Sequence, residues 1–169
     1  KSGKLIGIVS DKDLLYASPS SATSLSVFEI NSLISKITVQ SVMTKKVITI
    51  TEDLPVEEAA RIMADNKIGG LPVMSGSKLV GIVTETDIFR ALLQFMGARR
   101  PGIRVRVHTP GVKGSLAKVT RIISEAGGDL VGVAVNEASN SMWYMTFKVQ
   151  DITKDALAAA LEKAGVEIM

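Results

Sequence analysis

Two segments of the chain carry the same polar pattern, in which a hydroxyl residue is followed three positions later by an aspartate. Ser10 precedes Asp13 and Thr84 precedes Asp87, within two ten-residue stretches that are identical at six positions. Both patterns follow an apolar β-branched run, which predicts a strand that turns directly into a helix. A hydroxyl and a carboxylate beside the free N–H groups of a helix start could hold a phosphate and a ribose. The same spacing defines a capping box, which serves only the hydrogen bonding of the helix itself.

Other chemically active side chains are few. The chain has no cysteine and a single histidine, His108, which argues against disulfides, thiol chemistry and a transition-metal site. The sequence pattern offers His108 no nucleophile or carboxylate partner, and it contains no glycine-rich phosphate motif of a P-loop or dinucleotide-binding enzyme. We therefore predict a protein without catalytic residues, without a metal and without enzymatic activity.

A basic stretch separates Asp87 from Glu125. It contains eight lysines and arginines and no acidic residue. No aromatic residue stands between Arg99 and Arg106, and no helix-turn-helix is recognisable. We interpret the stretch as a solvated linker and sheet face rather than a nucleic-acid interface. Arg106 and its neighbour Arg104 are alternatively placed to receive an anionic effector.

The elements that position the repeated pattern follow from hydrophobic periodicity and turn residues. A turn-rich connector follows Ser18, and apolar residues at helical spacing from Val27 predict a linker helix capped by Ser24 or Ser26. Gly69-Gly70 is expected to end the helix that opens at residue 55. The predicted elements are a strand and helix start at 1–16, the linker helix at 24–41, a strand at 47–51, a helix from 55, hairpin strands at 71–74 and 78–83, and a helix from 84 to about 96.

A different pattern begins after the linker 98–102. Ile103, Val105 and Val107 alternate with polar residues, which predicts a half-buried strand. The following segments predict a helix closed by Gly127-Gly128, two strands paired around 137–140, a helix from 153 to 165 and a last strand at 166–169. This order is β-α-β-β-α-β, the ferredoxin-like topology.

Five segments in order resemble a CBS motif. They are Val42-Met43-Thr44, Val47-Ile48-Thr49-Ile50, Pro55-Val56-Glu57-Glu58-Ala59, Ile68-Gly69-Gly70-Leu71-Pro72-Val73 and Gly81-Ile82-Val83-Thr84-Glu85-Thr86-Asp87. The first copy of the repeat resembles the tail of another CBS motif, so that the two would form a CBS pair, or Bateman module. We expect the front half of that first motif to be absent from the chain.

Residues 103–169 resemble an ACT domain, and the whole arrangement is similar to the CBS-ACT proteins associated with acetoin utilisation. The predicted fold class is α+β, with β-α-β-β-α CBS units, the first incomplete at its N-terminus, and a ferredoxin-like ACT domain. The predicted domains are the C-terminal part of the first CBS motif at 1–23, the linker helix at 24–41, the second CBS motif at 42–97, a linker at 98–102 and the ACT domain at 103–169.

The CBS resemblance implies a regulatory module that binds AMP, ADP, ATP, NAD or S-adenosylmethionine between paired motifs. The ribose would be held by Asp13 or Asp87, because a carboxylate accepts both hydroxyl protons. The implied nucleotide-binding residues are Ser10, Lys12, Asp13, Thr44, Ile48, Ile68, Gly69, Gly70, Thr84, Thr86 and Asp87. In such pairs the aspartate of one motif works with the base-holding segment of the other. We therefore expect Asp13 to complete a site with residues 44–70, and the site of Asp87 to be partial.

The ACT resemblance implies that amino acids or other small effectors bind at interfaces involving the first β-α loop, here 110–115. Gly114 stands where the family has its characteristic glycine, whereas Gly111 stands where aspartate is frequent. The effector candidates are Gly111, Gly114, Asp129 and Leu130. An ACT unit used only for dimerisation is the alternative.

Composition completes the prediction. The chain has 46% hydrophobic residues but no apolar run that approaches the ~18 residues of a membrane span. We predict a cytoplasmic, non-enzymatic sensor that forms a homo-oligomer, a dimer, with no membrane or nucleic-acid partner. The alternatives are a structural oligomerisation protein with degenerate ligand sites and, with less support, a nucleic-acid-associated regulator.

Overall fold

The computed structural model describes residues 3–19, 24–137 and 141–169. The chain forms two compact units, Lys1–Ile88 and Phe89–Met169, each mixing helices and strands. The mixed α+β class is thus confirmed. The boundary between these two units lies inside a helix, whereas the sequence places a domain linker at 98–102. The domain boundaries that follow from the family resemblance stay a prediction. Within the described residues, no helix is long and apolar enough to cross a membrane.

Three short helices open the N-terminal unit. They are α1 Asp11–Ala17, α2 Val27–Ile34 and α3 Val39–Val42, and each begins with a capping box. The predicted single linker helix is therefore wrong, because Thr38 and Ser41 cap a new helix shortly after α2 ends. The predicted first strand is reduced to one antiparallel bridge between Ile8 and Thr44, since this segment lies beside only one short stretch of backbone among the described residues.

The remainder of this unit contains β1 Ile50–Thr51, α4 Val56–Asn66, β2 Gly70–Ser75, β3 Lys78–Thr84 and the start of α5 Glu85–Phe95. The strand β2 lies between β1, which is parallel to it, and β3, which is antiparallel. Ile50, Ala59, Met63 and Leu71 form the core. Contrary to the sequence prediction, the helix α4 ends before Lys67, whose φ of 54° places it in the left-handed region.

The C-terminal unit contains β4 Ile103–Pro110, α6 Ser115–Glu125, β5 Asp129–Glu137, β6 Met142–Gln150, α7 Lys154–Lys163 and β7 Glu167–Ile168. Its antiparallel sheet has the order β5-β6-β4-β7. One face of the sheet and both helices supply the core, which comprises Val105, Val107, Val119, Ile123, Met145, Phe147, Val149, Leu157, Leu161 and Val166. The opposite face of β4 carries Arg104, Arg106 and His108.

Candidate functional site

The first repeated pattern forms a tight hydrogen-bonded group at the start of α1. The N–H and the hydroxyl of Ser10 both donate to Oδ2 of Asp13, at 2.8 and 2.7 Å, and the N–H of Asp13 donates back to the Ser10 hydroxyl at 3.3 Å. No residue in the described part of the chain donates to Oδ1. The Ser10 hydroxyl, and then its N–H, lower the pKa of Asp13, so the carboxylate is ionised at neutral pH.

The second pattern has the same geometry at the junction of β3 and α5. The N–H and the hydroxyl of Thr84 donate to Oδ2 of Asp87 at 2.9 and 2.6 Å. This pair is partly buried, whereas the pair at Ser10 is exposed. In both copies the hydroxyl already donates to its own aspartate, so a phosphate would have to compete for it.

Thr44 is tied to the strand-like segment that leads into the first pattern. Ile8 and Thr44 exchange two backbone hydrogen bonds, of 3.0 and 2.8 Å. A Cβ on Gly7 would lie 2.5 Å from Sδ of Met43, so a side chain at position 7 would separate the two segments. The predicted neighbours Ser10 and Thr44 therefore lie on two adjacent backbone segments.

Gly69 and Gly70 lie beside the second pattern. The N–H of Glu85 donates to the carbonyl of Gly69 at 3.1 Å, and Gly70 pairs with Thr84 across β2 and β3. That Gly69 and Gly70 form one ligand site with Asp13 stays a prediction.

The remaining predicted nucleotide-binding residues differ in exposure. Ile68 packs against the core, and Ile48 is 38% exposed. Lys12 and Thr86 lie exposed in the first turns of α1 and α5.

The same hydrogen-bond group also occurs away from the repeat. Ser26 donates to Glu29 through its N–H at 2.8 Å and its hydroxyl at 2.7 Å, and these bonds lower the pKa of Glu29. The group is therefore not a ligand site by geometry alone. Glu29 supplies a matched reference for the structural role of Asp13.

The effector candidates of the C-terminal unit lie at two ends of its sheet. Gly114, with φ of 89°, caps α6, and a Cβ on Gly111 would approach the indole nitrogen of Trp143 to 2.6 Å. Asp129 pairs with Gln150, whereas Pro110 pairs with Met142. The two groups are thus about 26 Å apart along β6, and a single chain does not bring them together. Leu130 packs against the core.

His108 has a carboxylate partner that sequence reasoning missed. Its Nδ1 lies 3.2 Å from Oε2 of Glu167, its ring stacks on Tyr144 at 4.8 Å, and the Arg106 guanidinium lies 5.3 Å from the Tyr144 ring centre. The sequence alone could not show this contact, because the two residues are far apart along the chain. Only the pairing of β7 with β4 places Glu167 opposite His108.

Residues 39–94 match the family model of the CBS domain. The uncharacterized protein MJ1426 of Methanocaldococcus jannaschii is 35% identical over 118 residues, which cover 55% of this chain and 69% of that protein. Three other curated relatives are much longer, and the chain spans 11%, 13% and 33% of their lengths.

Two solved structures at 34% identity also match. The structure of CBSX2 in complex with AMP has a TM-score of 0.42, with 55% of this chain and 66% of that chain covered. The CBS domain pair of protein MJ0100, in complex with 5-methylthioadenosine and S-adenosyl-L-methionine, has a TM-score of 0.43, with 59% and 67% covered.

Proposed function

We propose, from the premise that this chain belongs to the CBS-domain proteins, that it is a non-enzymatic sensor of an adenosine-containing ligand. AMP, ADP, ATP, NAD and S-adenosylmethionine are the candidate ligands. Asp13 holds the ribose, and the start of α1 faces the phosphate of a nucleotide ligand.

One observation carries this proposal, namely that Asp13 keeps one carboxylate oxygen unbonded by the described residues, in a group that is repeated at Thr84 and Asp87, within the residues that match the CBS-domain model. Oδ2 accepts both bonds from Ser10, while Oδ1 accepts none from the described residues. A carboxylate oxygen has two lone pairs, enough for the two hydroxyls of a ribose. Because the pKa of Asp13 is lowered, these bonds are made to a charged acceptor and are stronger than neutral ones.

The surroundings of Asp13 support the same ligand. The bridge from Ile8 to Thr44 holds a second hydroxyl side chain near the end of the segment that carries Ser10. Ile48, 38% exposed, offers apolar surface to an adenine ring. The partly buried Asp87 group is the weaker site in this proposal, as the sequence predicts.

The test compares Asp13→Ala with Glu29→Ala. Both substitutions remove the carboxylate of a capping box with nearly the same hydrogen-bond lengths, so their structural costs are matched. Hydrogen bonds to a charged group contribute roughly 1.5–3 kcal/mol, and we expect Asp13→Ala to weaken ligand binding by about tenfold or more. Glu29→Ala should change it by less than about twofold.

Isothermal titration calorimetry with the five candidate ligands measures both variants. A finding that Asp13→Ala binds every ligand as tightly as the parent protein does would contradict the assignment of Asp13 to the ribose. A lack of binding by the parent protein to all five would favour a structural protein with degenerate sites.

The C-terminal unit is proposed to act as a dimerising ACT domain. Its β-α-β-β-α-β order supports this, and so does β5, an edge strand of the sheet. Val133 and Val135 pair with core residues of β6 yet remain 38% and 39% exposed. A second copy of the edge would cover both valines.

Sedimentation velocity tests this dimer. Val133→Lys is expected to convert dimers to monomers, because the edge would then carry a charge that a partner must bury. Val80→Lys, at a 43% exposed valine of β3, is the control and should leave the dimer intact. A Val133→Lys protein that sediments as the parent does would place the dimer contact elsewhere.

A further inference from the structure

We propose that the C-terminal unit contains a second ligand site, an arginine-lined cavity at the end of α5 that binds a small phosphate monoester. The cavity has a volume of about 430 Å³, within the usual range for small-molecule sites. It is lined by Arg90, Leu93, Gln94, Gly97, Arg99 and Arg100. None of these residues belongs to the adenosine site, so the two proposals are independent.

The charge of the cavity favours an anion. Three of its six lining residues are arginines and none is acidic. Arg100 is oriented by a 3.0 Å bond to Oε1 of Gln150 and lies 3.8 Å from Asp129. Arg99 is exposed and has no hydrogen-bond partner in the part of the chain that the structure describes. Its guanidinium is therefore available to a ligand.

The turn that carries Arg99 and Arg100 is held in place by close packing on β5. A Cβ on Gly97 would lie 2.5 Å from the carbonyl oxygen of Val131, and one on Gly132 would lie 2.6 Å from the carbonyl carbon of Met96. The two backbones meet where neither residue has a side chain. The cavity is thus largely formed before a ligand arrives, which lowers the entropy cost of binding.

The chemistry of the lining fits a phosphate ester. A guanidinium presents a planar fork that bonds two phosphate oxygens at once. Leu93, 41% exposed, gives the carbon part of the ligand an apolar contact. The competing explanation is that the arginines only offset the negative end of the α5 dipole. That role needs no binding partner, so titration separates the two.

The experiment titrates the full chain with inorganic phosphate and with glycerol 3-phosphate at fixed ionic strength, followed by the amide signals of residues 94–100 in NMR spectra. Both probes lack adenosine, and shifts in the signals of residues 94–100 report binding at this cavity. We expect saturable shifts in these signals, with glycerol 3-phosphate binding more tightly. Arg99→Gln should weaken binding about tenfold.

The matched control is Arg121→Gln, which removes another exposed arginine of the same unit from α6, outside the cavity. It should change the affinity by less than about twofold. Shifts that do not saturate, or equal weakening by both arginine variants, would overturn the proposal and leave only non-specific attraction.

Discussion

Phe147→Ala is expected to lower the free energy of unfolding of the C-terminal unit by about 3–5 kcal/mol. Phe147 is completely buried in the middle of β6. It lies between Val105 of β4 and Val133 of β5 in the register of the sheet. Removal of the ring leaves a cavity at the centre of three strands, where the backbone hydrogen bonds prevent collapse.

The single tryptophan of the chain provides the measurement. Trp143 lies on β6 and packs against the same core, so its fluorescence in urea reports the unfolding of this unit at fixed protein concentration. Phe89→Ala is the control, because Phe89 is 63% exposed and its loss should cost less than about 0.5 kcal/mol. Similar losses of stability in the two variants would contradict the assignment of Phe147 to the core.

The C-terminal elements could be predicted because their local pattern and their burial agree. The alternation that begins at Ile103 predicts a strand, and β4 covers 103–110 with Val105 and Val107 buried. The helix predicted from Thr153 begins there, with its hydroxyl accepting from the N–H of Ala156. In both cases the periodicity of the sequence matches the face that contacts the core.

Predictions failed where the outcome depends on a distant partner or an unusual backbone. The apolar residues near Ile8 form only a bridge to Thr44, because a strand needs an edge to pair with. The end of α4 at Lys67 could not be found from the glycines that follow it, since lysine seldom adopts a positive φ.

The candidate sites were predictable to different degrees. The repeat located Asp13 and its hydroxyl neighbour, because a capping box is local in sequence. The free Oδ1 of Asp13 depends on which carboxylate oxygen Ser10 contacts, and spacing does not determine that. The cavity at Arg99 could not be predicted at all, because it requires the turn at Gly97 to pack against β5, more than thirty residues later.

Gly97→Ala is expected to destabilise the C-terminal unit by about 2–5 kcal/mol. Gly97 has a φ of 58°, where an L-residue costs about 1–2 kcal/mol. The added Cβ would also approach the Val131 carbonyl oxygen to 2.5 Å, and such overpacking costs about 1–3 kcal/mol. Because the displaced turn carries Arg99 and Arg100, the variant should also bind glycerol 3-phosphate more weakly.

Gly165→Ala separates the two costs. Gly165 follows α7 in the same unit, its φ is 69°, and an added Cβ would have no atom of the described residues within 4 Å beyond its chain neighbours. This variant should therefore lose only the about 1–2 kcal/mol of backbone strain and keep the affinity for glycerol 3-phosphate. Urea unfolding followed by Trp143 fluorescence compares the two variants directly. Equal stabilities would mean that the turn at Gly97 accommodates the added Cβ at no cost in free energy. Close packing on β5 would then not be what positions the arginines.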